Sequence, residues 1–502
     1  MKKLLILLTV LVVLGSSCSE DFLSVNEFNP NSASAVPASL VLPAALNSTS
    51  RIVDRPRNFD FIYLWHGCMS VSSGYAQSGA LIGYNLLNSS REANWSNSYL
   101  NLQNYDYIEK ESKTEKLQPY KAIAKIMKAY VYQILVDNYG NVPYSEALRT
   151  TEGILKPVYD NQQTIYEDLV VQLDSAMYLI DSAPADAEEI GDYDIIYHGD
   201  MNMWWKFANT LKLRLLINQS DMSGRRAYID TKIATTAHTT ADYIGAGEGA
   251  MLNPGYSKSA DKMNPFWETF YKQDDSRQSD GLGYYVAGQD ACDFLTLYDD
   301  PRKLRFFGPN TTGGTNVKGN YFGALLLEPP PTTSELGPGM LKSFDQDAPI
   351  FTDFESLFLQ AEAAQRGLIS GSVKALYENA VTQSIIYMGG ERGTSAAASS
   401  YLATPSPMVN YDSAVVESGE LKLILTQKWC ALNSISPVTL WTDYRRTGFP
   451  DFLHFTQDPL KKNATPPVRM LYPQTEISTN NDNVVAQGTI NVFTSKIFWQ
   501  NR

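Results

Sequence analysis

Apolar side chains recur at intervals of three and four residues along several segments of the chain, which is the pattern of a helix with one buried face. The clearest segment runs from Gln118 to Asn138, and the helix-ending residues Gly140, Asn141 and Pro143 follow it. Ser418 is the expected N-cap of a later helix, which is predicted at Glu420–Asn433. The same periodicity predicts further helices at Thr164–Ile180, Asn202–Asn218, Phe354–Gln365, Val373–Met388, Glu420–Asn433 and Val438–Arg445.

Short connections between these segments predict antiparallel helix pairs. Small residues such as Ala361 and Ala380 stand where two paired helices must approach closely, as in tetratricopeptide-type repeats. The spacing between pairs is irregular, and the chain shows no sustained 34-residue period. Tyr120, Tyr166 and Trp205 lie on the apolar helix faces and are expected in the core. The predicted fold class is therefore all-α.

Stretches with little periodicity separate the predicted helices. The helical scaffold is expected at about 115–220 and 350–450, and loop-rich insertions at about 40–110, 240–350 and 455–500. Gly, Pro, Tyr and Asp are frequent in the second insertion. Because binding residues commonly lie on irregular segments held by a rigid scaffold, we expect the ligand site in these insertions.

The first seventeen residues have the character of a cleaved signal peptide. Lys2 and Lys3 precede the apolar run Leu4–Leu14, which is too short to span a bilayer. Small residues then lead to Cys18, in a pattern that resembles the bacterial lipobox, so we expect 1–17 to be removed and Cys18 to be acylated. An ordinary secretory signal with an incidental cysteine is the alternative.

The three residues after Cys18 give a hint of the final location. Ser19, Glu20 and Asp21 resemble the acidic export signal of surface lipoproteins in the Bacteroidetes. This resemblance implies an outer-membrane protein that faces the cell exterior. A plain acidic linker is the alternative interpretation.

Charge and cysteine usage exclude several classes of protein. The formal net charge is −13, and it becomes about −15 once Lys2 and Lys3 are removed. The sequence contains no cluster of Lys and Arg of the kind that binds nucleic acid. Cys68, Cys292 and Cys430 remain after acylation of Cys18, and their odd number and wide spacing favour neither a disulfide framework nor a zinc site.

Motifs that carry catalytic chemistry are missing from the sequence. The four histidines are His66, His198, His238 and His454, and no two stand at ligand spacing on a helix. Nucleophile elbows, phosphate loops and dinucleotide fingerprints are also missing. Asn480–Asn483 could supply oxygens to calcium, but a plain turn is the simpler interpretation. We therefore expect a protein that is not an enzyme and that holds no cofactor or metal.

Aromatic side chains supply the positive signal for binding. The chain contains 30 Tyr and 8 Trp, which combine a flat apolar face with a polar group. Sugar rings expose flat C–H faces edged by hydroxyls, so such side chains suit them. The candidate ligand-binding residues, chosen because they lie in predicted loops, are Tyr75, Tyr84, Trp267, Tyr284 and Tyr285.

Several segments resemble the SusD/RagB family of Bacteroidetes outer-membrane lipoproteins. The signature segment Leu135–Leu148 reads LVDNYGNVPYSEAL, and Trp205–Leu215 is similar to the next helix of that family. The later matches, in the family's order, are Phe358–Ala364, Tyr377–Val381, Gln427–Ala431, Trp441–Pro450, Arg469–Pro473 and Asn483–Val485. Together they span about residues 20 to 500, although Cys430 and the segment Asn433–Ser436 depart from the usual pattern.

This resemblance implies an all-α protein with about four tetratricopeptide-like helix pairs and a loop-rich ligand-binding half. It also implies a partner, a SusC-like TonB-dependent barrel to which captured glycan or peptide is delivered. The signature segments are scaffold, so they identify no binding residue. The predicted function is a cell-surface nutrient-binding lipoprotein, and the alternatives are a binder of peptides or a helical-repeat interaction protein of the outer membrane.

Overall fold

The computed structural model describes most of the chain beyond the N-terminal segment. The predicted signal peptide 1–17, the predicted lipid attachment at Cys18, the acidic residues that follow it and His238 lie outside the described residues. The described residues are 36–236, 239–278, 281, 283–311 and 314–500.

Helices dominate the secondary structure, and the strands are short. The helices are α1 Ala38–Val53, α2 Pro56–Trp65, α3 Gly79–Ile82, α4 Glu92–Glu111, α5 Gln118–Tyr139, α6 Gln162–Asp181, α7 Met201–Asn218, α8 Arg226–Ile233, α9 Pro265–Phe270, α10 Gln289–Leu297, α11 Lys303–Phe306, α12 Asp353–Gln365, α13 Val373–Met388, α14 Ser395–Leu402, α15 Tyr411–Glu417, α16 Glu420–Ala431, α17 Pro437–Thr447, α18 Gln474–Thr479 and α19 Asn481–Val485. The strands are β1 Met69–Val71, β2 Val142–Pro143, β3 Tyr159–Asp160, β4 Ala250–Leu252, β5 Tyr285–Ala287 and β6 Ala348–Phe351. The all-α fold class is confirmed.

Consecutive helices pack as pairs, as the sequence predicts. Helix α4 packs against α5, α6 against α7, and α12 against α13, while α5 also contacts α6. Helices α16 and α17 pack mainly on other helices of the scaffold: α16 packs on α12, and α17 lies against α2, α5 and α7. Buried aliphatic and aromatic side chains from these helices form the main core.

The ends of the helices follow local chemistry. Helix α13 has the predicted bounds, and Gly389 and Gly390 end it with φ of +67° and +79°, a region that glycine adopts without strain. The N-cap predicted at Ser418 is wrong: the residue before α16 is Gly419, and no side chain caps the helix.

The insertion predicted at about 40–110 is largely helical, which corrects the sequence analysis. It contains α1, α2 and α4, and α1 packs against α4 and contacts α5. Pro43 lies inside α1 and Pro56 occupies the first turn of α2, where proline is tolerated. Many Ser and Asn residues in α1 and α4 obscure the helical periodicity. These helices extend the scaffold rather than interrupt it.

One core prediction also needs correction. Tyr120 and Tyr166 are completely buried, as expected. Trp205 is only partly buried, and the completely buried side chain is that of its neighbour Trp204, whose indole N–H donates to Asp194 at 2.7 Å. Other apolar positions of α7, such as Ala208 and Leu211, are completely buried, so the correction concerns the tryptophan alone.

Buried ion pairs join the helices of the scaffold. Arg446 of α17 pairs with Glu362 of α12 at 2.6 Å, and both side chains are completely buried. Arg214 of α7 pairs with Glu355 of α12 at 3.1 Å and also donates to Gln133 of α5. Because removal of one partner would leave a buried charge with weaker compensation, each pair helps to fix the relative position of the helices that it joins.

Short antiparallel strand pairs position the loops. Strand β1 pairs with β5 so that Met69 lies opposite Ala287 and Val71 opposite Tyr285. Strand β2 pairs with β3, and β4 pairs with β6. The β1–β5 pair brings the segments around residues 72 and 284 together, although more than 200 residues separate them in sequence.

The described cysteines are free thiols inside the core. Cys68, Cys292 and Cys430 are all buried. Burial raises the pKa of Cys68 to about 12 and raises the pKa values of the other two thiols. Among the described residues, no helix is both long and apolar enough to cross a bilayer.

Candidate functional site

Tyr75, Tyr284 and Tyr285 meet at the end of the β1–β5 pair. The rings of Tyr75 and Tyr284 lie edge to face with centroids 5.4 Å apart, and those of Tyr284 and Tyr285 are 4.8 Å apart. Tyr75 is 39% exposed and Tyr284 is half-buried, whereas Tyr285 is buried. We call Tyr75 and Tyr284 the tyrosine platform, because these two rings reach the surface and Tyr285 supports them from below.

The backbone holds the platform in place. The Ser72 N–H donates to the Tyr284 carbonyl at 3.0 Å, and the Ser72 hydroxyl donates to the Gly283 carbonyl at 2.5 Å. Gly283 has φ of +98°, a conformation that a residue with a side chain adopts only with strain. The turn before β5 therefore directs the chain so that Tyr284 lies beside Tyr75.

A buried carboxylate anchors the platform from below. The Tyr285 hydroxyl donates to Asp60 of α2 at 2.8 Å, and the Arg91 guanidinium donates to the same carboxylate at 2.9 Å. Burial alone would lower the pKa of Arg91, but the charge of Asp60 and its hydrogen bonds raise it above the ordinary value. Burial and the charge of Asp60 likewise raise the pKa of Tyr285, so this phenol stays protonated and donating at physiological pH.

An apolar segment borders the platform. The Gln77 side chain bonds to the Ala324 carbonyl at 3.2 Å and accepts from the Gly323 N–H at 3.1 Å. The following residues Leu325 and Leu326 are 71% and 91% exposed. Because Gln77 follows Tyr75 by two residues, these exposed leucines belong to a segment bonded close to the platform, and they offer apolar surface that a ligand can cover.

The other two candidate residues have different surroundings. Tyr84 is only 1% exposed, packs edge to face on Trp65 at 5.7 Å and accepts from the Thr456 N–H. The Tyr84 side chain is thus enclosed by the core and offers a ligand no surface in this structure, because a position in a loop does not imply exposure. Trp267 is half-buried and stacks on Tyr271 with ring centroids 4.4 Å apart. Among the described residues, no ring contact connects Trp267 with Tyr75 or Tyr284.

Sequence reasoning missed Asp60, Arg91, Leu325 and Leu326. Asp60 and Arg91 belong to the region first interpreted as loop, and nothing in the sequence connects either residue with Tyr285. The run Leu325-Leu326-Leu327 inside a loop-rich stretch was the one available signal, since apolar runs in loops are unusual unless they are covered or functional.

The described histidines do not form a catalytic or metal-binding group. His66 is buried, and burial together with the charge of Arg445 lowers its pKa to about 4. His198 is exposed and lies 3.8 Å from Asp192, and the His454 ring pairs with Asp290 at 2.6 Å. Within the described parts of the chain, no three His, Cys, Asp or Glu side chains are grouped so that they could hold a metal ion.

The asparagine-rich segment 480–483 lies at the junction of α18 and α19. The side-chain amides of Asn480 and Asn483 donate to the Pro157 carbonyl at 2.9 and 3.1 Å. These amides therefore connect the C-terminal helices to the loop before β3. This arrangement agrees with a structural turn and offers no ordered set of oxygens for calcium.

Comparison with protein families identifies the chain. A family model named SusD-like, with the description "Starch-binding associating with outer membrane", matches residues 29–473. The chain belongs to the SusD-like family. No curated protein matches this SusD-like chain significantly.

Solved structures share the fold of this SusD-like chain. A chitin-binding protein is 23% identical over 92% of this chain and 99% of its own, with a TM-score of 0.75. A SusD homologue from Bacteroides uniformis is 22% identical over 92% and 99% of the two chains, with a TM-score of 0.74. A SusD homologue from Bacteroides fragilis is 21% identical over 93% and 98%, with a TM-score of 0.71. At these identities the likeness concerns the fold.

Proposed function

We propose that this SusD-like chain is a lipid-anchored protein of the cell surface that binds an oligosaccharide at the tyrosine platform. It does not cleave the ligand, and it delivers the ligand to a SusC-like TonB-dependent barrel. The observation that carries the proposal is the edge-to-face pair of the exposed Tyr75 and the half-buried Tyr284, near a segment that exposes Leu325 and Leu326. The family of the chain is described as starch-binding and associated with the outer membrane.

The chemistry of the platform suits a sugar ring. The apolar face of a pyranose packs on a tyrosine ring at low cost in conformational entropy, because the ring is already held by its neighbours. The hydroxyl groups of Tyr75 and Tyr284 can exchange hydrogen bonds with sugar hydroxyls. Burial raises the pKa of Tyr284, so its hydroxyl stays protonated and can donate to a sugar oxygen at physiological pH.

A peptide is the second candidate ligand, and Leu325 and Leu326 are the observation that favours it. Both side chains are highly exposed, and they could cover apolar side chains of a peptide. The acidic chain, with a net charge of −13, would then favour peptides with basic residues.

The soluble protein lacking residues 1–18 tests the ligand class. We expect it to bind oligosaccharides on a glycan array, to give a measurable heat by calorimetry and to leave the glycan intact. Tyr284→Ala should lower the affinity about tenfold, because stacking on the exposed ring is lost. Tyr178→Ala, at an exposed tyrosine of α6, is the matched control and should leave the affinity unchanged.

Three results would contradict the proposal. Binding to a peptide library without binding to any glycan would favour the peptide alternative. Release of shortened sugars would show an enzyme. Equal affinity of the Tyr284→Ala and wild-type proteins would place the site elsewhere.

The anchor and the barrel partner need separate tests in cells. Mass spectrometry of the mature protein should find a multiply acylated N-terminal Cys18, since stable anchoring takes more than one acyl chain. Affinity capture of the full-length protein from outer membranes should recover a TonB-dependent barrel. An unmodified Cys18 thiol would contradict the anchor, and capture of other surface proteins without a barrel would favour the interaction-protein alternative.

A further inference from the structure

A second cavity opens on the side of the molecule where α10 and α16 approach the segment 451–454. Its volume is about 660 Å³, within the range of small-ligand sites in proteins. None of Tyr75, Tyr284 and Tyr285 is among the residues that line this cavity. Its lining is mainly apolar, and the apolar side chains are those of Phe294, Leu297, Tyr298, Met408 and Phe452.

The aromatic floor of this cavity is rigid. Phe294 and Phe452 stack with ring planes only 15° apart and centroids 5.8 Å apart. Trp429 supports both rings edge-on from the core, at 5.4 Å from Phe452, and its indole N–H donates to the His66 carbonyl at 2.9 Å. A ligand that packs on Phe452 therefore meets a surface whose orientation is already set.

The rim of the cavity is rich in hydrogen-bond acceptors. Asp451 pairs with Lys422 at 2.7 Å and remains half exposed, and Asp293 is exposed on α10. The His454 ring is 59% exposed and pairs with the buried carboxylate of Asp290. Carboxylates outnumber the single lysine, so the rim suits a neutral ligand with several O–H donors better than an anionic one.

One segment borders both this cavity and the tyrosine platform. Tyr321 lies against the His454 ring with centroids 4.3 Å apart, and its hydroxyl donates to Asp293 at 2.7 Å. Two residues later, the Gly323 N–H donates to the side chain of Gln77, which follows Tyr75 of the platform by two residues. A side chain at Gly323 would collide with Thr456, since a Cβ there would lie 2.1 Å from its hydroxyl. The segment is therefore held tightly between the two sites.

We propose that the cavity is a second sugar subsite, which takes a pyranose ring from a distal part of the oligosaccharide whose other end rests on the platform. The C–H face of the ring packs on Phe452, and its hydroxyls donate to the carboxylates of Asp293 and Asp451. This inference rests on the proposed function and extends it, because it makes the preferred ligand a longer oligosaccharide. Engagement of both subsites adds affinity through effective concentration.

Proton NMR of the histidine rings can test this inference directly. The soluble chain lacking residues 1–18 is titrated with malto- and chito-oligosaccharides of increasing length, and His454→Gln assigns the His454 signals. We expect longer oligosaccharides to shift the His454 signals and to leave those of His198 unchanged, because His198 lies in a different cavity, beside α7. The His454 shift should persist at saturating ligand in Tyr284→Ala, because that change leaves the second subsite intact.

Leu297→Arg is the variant that blocks the cavity, since Leu297 is 73% exposed at its mouth and its replacement leaves the core unchanged. We expect Leu297→Arg to abolish the His454 shift and to lower the affinity for long oligosaccharides about tenfold, with no change for disaccharides that occupy the platform alone. Leu155→Arg, at a leucine 75% exposed on the scaffold, is the matched control. Circular dichroism checks that both variants fold.

The outcomes separate this inference from the proposed function. If Tyr284→Ala weakens binding while His454 never responds and Leu297→Arg binds every length normally, the second subsite is wrong and the platform stands. If the wild-type protein binds no oligosaccharide, both proposals are wrong. If an apolar amine such as benzylamine shifts His454 and no sugar does, the cavity is a site for hydrophobic cations and the inference is overturned.

Discussion

Tyr166 of the helical scaffold and Tyr284 of the loop-rich half use the same side chain in opposite ways. Tyr166 is completely buried, and its hydroxyl bonds to Asp137 and to Asn218. Tyr284 is half-buried, and its ring supports Tyr75 at the surface. The hydroxyl of Tyr166 therefore contributes to the core of the scaffold, whereas part of the Tyr284 ring remains accessible at the surface. A substitution should therefore act on stability in the first region and on binding in the second.

The largest effect expected in this comparison concerns the buried pair of Arg446 and Glu362. Glu362→Ala leaves a buried guanidinium with a weaker set of partners and should cost about 3 to 5 kcal/mol in the free energy of unfolding. Asp275→Ala removes the surface partner of Lys258 in the loop-rich half and should cost at most about 1 kcal/mol. Urea unfolding followed by circular dichroism measures the free energy of unfolding of both variants. Equal losses for Glu362→Ala and Asp275→Ala would contradict the difference between the two regions.

Removal of a single hydroxyl sharpens the comparison. Tyr166→Phe leaves Asp137 without one of its hydrogen-bond donors and should destabilise the protein by about 1 to 3 kcal/mol. Tyr284→Phe should change the free energy of unfolding by less than about 0.5 kcal/mol, because Tyr284 is only half-buried and the substitution keeps its ring contact with Tyr75. The same urea unfolding experiment measures both changes. A larger loss of stability for Tyr284→Phe than for Tyr166→Phe would contradict the prediction.

The pH dependence of stability should also trace to the buried region. The pKa of His66 is about 4 in the folded protein and about 6.5 when unfolded, so the unfolded state binds more protons between these values. The His66 contribution to stability is thus fully present above about pH 6.5 and falls on acidification, by about 2 kcal/mol between about pH 7 and about pH 5. Asp137, whose pKa is raised to about 6 by burial, acts in the opposite direction.

Substitution of the histidines separates these contributions. His66→Gln should remove the loss on acidification and expose the opposing slope from Asp137, in which stability falls as pH rises from about 4 to about 6. His198→Gln, at an exposed histidine, should follow the wild-type profile. The free energy of unfolding of each protein, measured across this pH range, tests these predictions. Parallel pH profiles for His66→Gln and wild type would contradict the assigned role of His66.

The smallest effect on stability is expected at the apolar border of the platform. Leu326 is 91% exposed, so Leu326→Ser should leave the free energy of unfolding within about 0.5 kcal/mol of the wild type. Its affinity for the ligand should nevertheless fall by about two- to fivefold, because apolar contact area is lost. Calorimetry beside urea unfolding checks both parts, and unchanged affinity would remove Leu326 from the site.

The helices were predictable where periodicity and end signals agree. Val373–Met388 has glycines immediately after it, and its bounds were predicted to the residue. Helix α4 was missed, because its Asn, Ser and Tyr residues give little contrast between the buried and exposed faces. Trp204 and Trp205 are adjacent, and the periodicity predicts burial of Trp205, whereas Trp204 is the buried side chain.

The site was predictable only in part, since exposure depends on contacts that are distant in sequence. Tyr75 and Tyr284 were chosen as loop aromatics, and the β1–β5 pair brings them together. Tyr84 and Tyr285 have the same local character, yet Trp65 covers one and Asp60 anchors the other. Propensity and spacing carry no information about such pairings, so the sequence could not separate the surface tyrosines from the buried ones.

The burial of Cys68, Cys292 and Cys430 makes it practical to follow ligand binding with a fluorescent label. Their sulfurs are enclosed by the core and largely protonated, so alkylating dyes should react with them slowly. In the soluble chain, Leu326→Cys would then be the one addressable thiol. A fluorophore attached there would report ligand capture and release in real time, without replacement of any native cysteine.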